Sequence, residues 1–270
     1  MFDEVFDPLY EPLPDAEQYL KRLGITSFQK PDKETLDALI LAHLRTVPFE
    51  NIDIYDASAD VSIGIPDLFD KIVIRRRGGY CFELNAVFAA LLTSLGYDCY
   101  SVAVRIVWHY ERPMPVTHRA MIVTIDGIRY FCDVGFGGPL PQCALLIDES
   151  GGQPSAGNVF FFEKDAAYGT MLCRLFEGEK EPILSFFEEP TEQVDFLAPH
   201  EWQSQNSYSM FKNGRLCNRV TESGVVTLGG NVLRVHSDGN VVETTLETEE
   251  ELRGALKEHF GIEGNFPLNI

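Results

Sequence analysis

"RRRGGYCFELNAVFAALLTSLGY" (residues 75–97) sets one cysteine between a Gly-Gly turn and a long apolar run. From Cys81 to Leu95 the run is apolar nearly all round, with Val87, Phe88, Ala89, Ala90, Leu91 and Leu92 in succession. That pattern predicts a helix at the centre of a core, with Gly96 as its C-terminal cap. Cys81 then opens the helix, where unsatisfied N–H groups and the helix dipole favour a thiolate. Its own N–H is placed to help hold an oxyanion, and Gly78 and Gly79 let the chain turn sharply into the helix.

Upstream, the period stays helical. "DAEQYLKRLGI" carries Tyr19, Leu20 and Leu23 at helical spacing with Gly24 as a stop, and "DKETLDALILAHL" puts Leu36, Leu39, Ile40 and His43 on one stripe before Pro48. "PDLFDKIVI" begins with Pro66 at a first-turn position. Downstream the period changes to two. Tyr100, Val102, Val104 and Ile106 alternate with Cys99, Ser101, Ala103 and Arg105, and "RAMIVTI", "IRYFCDV", "NVFFFEK" and "TMLCRLFE" follow between turn residues. The last seventy or so residues mix short strands ("VVTLGG", "NVLRVHS", "NVVETTL") with one helix, announced by the capping box of Thr248 and Glu251. The expectation is an α+β protein in three parts: a helical bundle carrying Cys81 (1–96), a β-barrel or sandwich (97–200), and an α/β lid (201–270).

The formal net charge of −19 disfavours nucleic acid as a partner. On this reading an anionic ligand needs a local basic cluster such as Arg75, Arg76 and Arg77, or a helix N-terminus. No apolar run is long enough to span a membrane, and the acidic start "MFDEVFDPLY" is unlike a secretory signal. The six cysteines form no C-x-x-C pair, so neither zinc nor any other metal is expected, and free thiols in a reducing cytoplasm are the default. Cys99, Cys143, Cys173 and Cys217 read as incidental thiols and His43 as a core residue. His109, His200 and His259 read as solvated. His236 is placed to approach an anionic group.

"THRAMIVTIDGIRYFCDVGFGG" (117–138) holds Asp126-Gly127 between two apolar runs, the strongest short-range hairpin signal. With those two residues as the loop, His118 faces Gly135 and Ala120 faces Asp133. His118 and Asp133 therefore share a face, while Cys132 points the other way with Met121, Val123 and Tyr130. An imidazole oriented by a carboxylate is half of a nucleophilic triad, and Cys81 is the natural third member.

These residues resemble the arylamine N-acetyltransferase family. The resemblance is carried by "VPFENI" (47–52), "RGGYCFELN" (77–85), "THRAMIV" (117–123) and "DVGFGG" (133–138), and it spans nearly the whole chain. It implies a papain-like Cys-His-Asp core with Cys81 as nucleophile, His118 as base and Asp133 as its carboxylate. It also places Phe49 and Phe136 at the acceptor pocket, and Gly138 and Phe211 near coenzyme A. The implied reaction is acetyl transfer from acetyl-CoA, as co-substrate, to an arylamine or arylhydrazine through an acetyl-cysteine. Arg119 stands where the resemblance implies an apolar residue, and the hairpin register turns it away from the triad. The rival readings are an amide synthase, a transglutaminase-like or amide-hydrolysing cysteine enzyme, and a non-catalytic binding protein.

Overall fold

A computed structural model describes residues 3–270. Three helices open the chain, α1 (Asp3–Tyr10), α2 (Ala16–Arg22) and α3 (Lys33–Thr46). Asp15 and Asp32 cap the second and third, each side chain accepting an N–H of the first turn at 2.9 Å. The α3 stripe of Leu36, Leu39, Ile40 and His43 is buried, and the His43 ring meets the Tyr19 hydroxyl at 2.9 Å. The two-residue strand β1 (Phe49–Glu50) and helices α4 (Ile52–Tyr55) and α5 (Ile65–Phe69) follow. A π-helical turn, Asp70–Ile74, then leads to α6 (Cys81–Ser94). As its composition predicts, α6 is the centre of the largest core. Phe82, Leu84, Val87, Phe88, Leu91 and Leu92 are wholly buried, and Met121, Val123 and Cys132 pack in the same cluster.

The middle of the chain is an eight-stranded antiparallel sheet. Its strands are β2 (Asp98–Ile106), β3 (Val116–Ile125), β4 (Ile128–Cys132), β5 (Leu145–Leu146), β6 (Gln153–Ser155), β7 (Asn158–Asp165), β8 (Gly169–Phe176) and β9 (Glu179–Phe186). They lie in the order β5-β4-β3-β2-β9-β8-β7-β6. Asp126 and Gly127 both have positive φ, 52° and 80°, as a two-residue type I′ turn requires. Ile125 pairs with Ile128 and Met121 with Cys132, the register read from the sequence. The Gln153 side chain accepts from Leu146 N (2.8 Å) and donates to Leu146 O (2.9 Å). It thereby bridges the two edge strands, and the sheet curls nearly closed.

The last part holds α7 (Leu197–Gln205), α8 (Met210–Asn213), strands β10 (Leu216–Val220), β11 (Gly224–Gly229), β12 (Val232–Ser237) and β13 (Asn240–Thr245), and helix α9 (Glu249–Phe260). The capping box of α9 is formed, with Glu251 N donating to Thr248 Oγ1 and Thr248 N to Glu251 Oε2. β1 joins this sheet, pairing Phe49 with Asn218. A buried ion pair, Arg215 Nη2 to Asp56 Oδ1 at 2.6 Å, ties it to the helical part. Among the described residues no helix is long and apolar enough to cross a membrane.

Candidate active site

Three elements converge. Cys81 is the first residue of α6, His118 lies in β3, and Asp133 follows β4 directly. All three are buried, at 3%, 1% and 2% exposure. His118 Nε2 donates to Asp133 Oδ2 at 2.6 Å. That leaves Nδ1 for the thiol, and the Cys81 sulfur is near enough to help raise the pKa of the ring. The Cys81 sulfur also approaches Thr117 O at 3.7 Å.

The β3–β4 ladder ends at Cys132, so the hairpin alone does not hold Asp133. Asn85, one turn along α6 from Cys81, supplies the fixture. Its Nδ2 donates to Asp133 Oδ1 (2.9 Å) and to Arg119 O (2.5 Å), and its Oδ1 accepts from Val134 N (2.9 Å). Gly135 N adds a further bond to Asp133 Oδ1 at 2.8 Å. A carboxylate removed from water is costly unless its lone pairs are met, and here three donors meet them. Burial alone would push the His118 ring down, but the Asp133 carboxylate, its hydrogen bond and the Cys81 sulfur together raise it to about 10. These neighbours favour the imidazolium form of the ring.

Around the mouth of α6, Glu83 accepts from Tyr80 N at 3.1 Å and pairs with Lys71 at 2.7 Å. Lys71 also meets Asp53 at 2.7 Å, while Arg77 pairs with Glu50 (2.8 Å) and Asp53 (2.9 Å). Burial opposes the Lys71 charge, yet the surrounding carboxylates Glu83, Glu50 and Asp53 push its pKa up. This corrects the expectation of a basic cluster at 75–77. Arg77 is buried and neutralised, and Arg75 is spent on Asp70 at 2.7 Å. His200 is likewise not solvated. It is buried, bonded to the Tyr80 hydroxyl through Nδ1 and to Val61 O through Nε2 at 2.8 Å.

Beside the triad runs a cleft of about 640 Å³ that includes Phe49, Trp108, Val134, Gly138, Arg174, Arg219 and His236 in its wall. No Asp or Glu lines it among the described residues, in a chain with 41 acidic side chains. Phe136 sits with its ring 5.6 Å from the His118 ring and 6.2 Å from Trp108. Gly137, at φ +72°, brings the loop so close to Phe49 that a Cβ there would lie 2.9 Å from the ring. Phe211 is 6% exposed, between Tyr80 (5.2 Å) and Phe49 (6.0 Å), and is not among the residues lining this cleft. It backs Phe49 rather than facing the cleft.

A profile of the N-acetyltransferase family matches residues 32–267. The chain is 30% identical over 254 residues to the arylamine N-acetyltransferase of Mycolicibacterium smegmatis, covering 92% of each. The chain belongs to the arylamine N-acetyltransferase family. It superposes on the solved arylamine N-acetyltransferase of M. tuberculosis with a TM-score of 0.86 at 30% identity, covering 92% of this chain and 94% of that one. The Mycobacterium marinum arylamine N-acetyltransferase in complex with CoA gives 0.84 at 30% identity, covering 92% and 93%.

The three convergent side chains are marked in the sequence by their motifs, but their supports are not. Asn85 ends the motif "RGGYCFELN" at the i+4 position from Cys81, and that spacing was the available signal. Trp108 sits past the end of β2, where no periodicity marks it. The burial of Arg119 and Arg77 depends on partners that only the tertiary fold supplies.

Proposed function

We propose that the protein transfers an acetyl group from acetyl-CoA to the nitrogen of an arylamine or arylhydrazine, by a ping-pong route through an acetylated Cys81. The observation that carries this reading is the burial together of Cys81, His118 and Asp133 at the N-terminus of α6, with His118 Nε2 on Asp133 Oδ2 at 2.6 Å. An imidazolium beside the sulfur favours the thiolate, the nucleophilic form. The thiolate attacks the acetyl carbonyl carbon, and the N–H of Cys81, at the first turn of α6, is placed to stabilise the oxyanion. The bond to the coenzyme sulfur then breaks, and His118 returns a proton to the departing thiolate. In the second half-reaction the amine attacks the acetyl-cysteine, His118 takes the amine proton, and Cys81 leaves as thiolate. Asp133 fixes the ring so that Nε2 carries its proton toward the carboxylate and Nδ1 serves the chemistry.

Acceptors with a nitrogen that is neutral near pH 7 suit this scheme, because a protonated alkylamine has no lone pair to offer. Phe49 and Phe136 would flank an aromatic acceptor, and the carboxylate-free cleft with Gly138, Arg174, Arg219 and His236 in its wall suits the anionic coenzyme. Six free cysteines fit a reducing, cytoplasmic setting. Initial rates with acetyl-CoA and an arylamine varied together test the reading. Parallel double-reciprocal lines with loss of turnover in Cys81→Ser are expected. Intersecting lines, or turnover of peptide amides in place of acetyl-CoA, would contradict it.

A further inference from the structure

Arg119 and His118 are neighbours in β3, so their side chains leave on opposite faces of the sheet. The Arg119 side chain lies 2% exposed, and each of its partners is neutral. Nε and Nη2 donate to Ser101 Oγ at 3.1 and 2.8 Å, Nη2 also donates to Gln193 Oε1 at 2.6 Å, and the guanidinium lies 4.6 Å over the Phe196 ring. A buried cation is ordinarily met by a carboxylate, because removing a charge from water costs several kcal/mol. Burial pushes this guanidinium down to about 10, so it stays charged at neutral pH.

The same side chain forms part of the wall of a second cleft, about 370 Å³, between α6, β2, β3 and the loop after α1. Ser101 lines it too. Having accepted twice from Arg119, its hydroxyl keeps its own hydrogen to donate, whereas Thr93 and Ser94 spend theirs on backbone carbonyls. Leu13, Ile65, Ala86 and Ala90 contribute an apolar wall, and the one carboxylate of the lining, Glu11, is exposed.

We propose that this cleft is a binding site for a small carboxylate bearing an apolar group, with Arg119 and Ser101 holding the carboxylate and the α6 alanines its tail. With Nε and Nη2 taken by Ser101 and Gln193, Arg119 meets a carboxylate through its remaining Nη1 donors, beside the Ser101 hydroxyl, and the volume suits a molecule of benzoate or hexanoate size. The site is separate from Cys81, on the far face of β3. It touches the triad's support all the same, since Arg119 O accepts from the Asn85 amide that holds Asp133.

The test is calorimetric titration of the full chain with benzoate, hexanoate, the matched amides and inorganic phosphate. Carboxylates are expected to bind at least about tenfold more tightly than their amides, the loss set by one charge-assisted hydrogen bond, and more tightly than phosphate. Arg119→Gln should abolish that difference, and Ala90→Phe, which fills the wall without touching the guanidinium, should block binding. Cys81→Ser should leave it unchanged. Equal affinity for carboxylate and amide, no carboxylate binding, or binding that survives Ala90→Phe would each overturn the proposal. Phosphate binding as tightly as hexanoate would overturn the apolar-tail assignment. Because Ala90→Phe leaves the guanidinium intact, the conclusion holds even where Arg119→Gln does not fold.

Discussion

Asp133→Asn removes one charge and changes one atom, and the hydrogen bonds around it say which atom. Oδ1 receives two donors, Asn85 Nδ2 and Gly135 N, while Oδ2 receives one, His118 Nε2. An asparagine therefore keeps its oxygen at the Oδ1 position and turns its NH2 toward His118. Two donors cannot face each other, so Nε2 gives up its proton and the ring, left neutral with its one proton on Nδ1, can take none from the thiol. The electrostatic loss adds to this. The ring lies at about 10 against an ordinary 6.5, with burial pulling down and Asp133 pulling up. At about 1.4 kcal/mol per unit, that preference for the imidazolium is on the order of 5 kcal/mol. The expected result is a fall in kcat/KM of roughly 10³- to 10⁴-fold, the scale set by losing an orienting carboxylate. Steady-state acetyl transfer measures it, and iodoacetamide alkylation of Cys81 across pH reports the thiolate directly. Alkylation at neutral pH should be slower in the variant than in the wild type. A variant that keeps kcat/KM within tenfold, with an unchanged alkylation profile, would refute the role given to Asp133.

Other outcomes follow from the same contacts. Asn85→Ala removes the tie between α6 and Asp133, leaving Val134 N and Oδ1 short of a partner each; a loss of roughly 10- to 100-fold in kcat/KM is expected, together with about 2 kcal/mol of stability by chemical denaturation. Asp56→Ala leaves the wholly buried Arg215 guanidinium unpaired, and breaking such a pair costs about 3–5 kcal/mol, read as a lowered denaturation midpoint. His118 binds its proton more tightly in the folded state than in the unfolded one, so its contribution to stability is fully present below about pH 6.5 and is lost as pH rises through about 10. The stability difference between wild type and His118→Gln should therefore shrink from pH 7 to 10, and a difference that grew over that range would contradict the assignment.

Much of this arrangement is legible in the residues because it is local. The α6 run, the Asp126-Gly127 turn and the Thr248–Glu251 box each carry their geometry within a few positions, and the hairpin turn fixed which residues share a face with His118. What was not legible is set by distant partners or masked by proline. β9 contains Pro182, which argues against a strand, and the structure accommodates it at a register shift between Leu172 and Cys173 of β8. Pro199 lies within α7, which has no apolar stripe to announce it. β1 is two residues long and exists only because β10 meets it from 160-odd positions away. Arg75 and Arg76 are exposed, but Arg77 is buried against Glu50 and Asp53, which stand more than twenty residues earlier.

The most direct measurement is rapid-quench mass spectrometry of the enzyme mixed with acetyl-CoA and no acceptor. One acetyl group should appear on the peptide containing Cys81 within a single turnover, and it should disappear when an arylamine is added, with stoichiometric acetylated product. Active enzyme whose Cys81 stays unmodified throughout turnover would contradict the covalent route. Acetyl found on another residue at a turnover-competent rate would do the same.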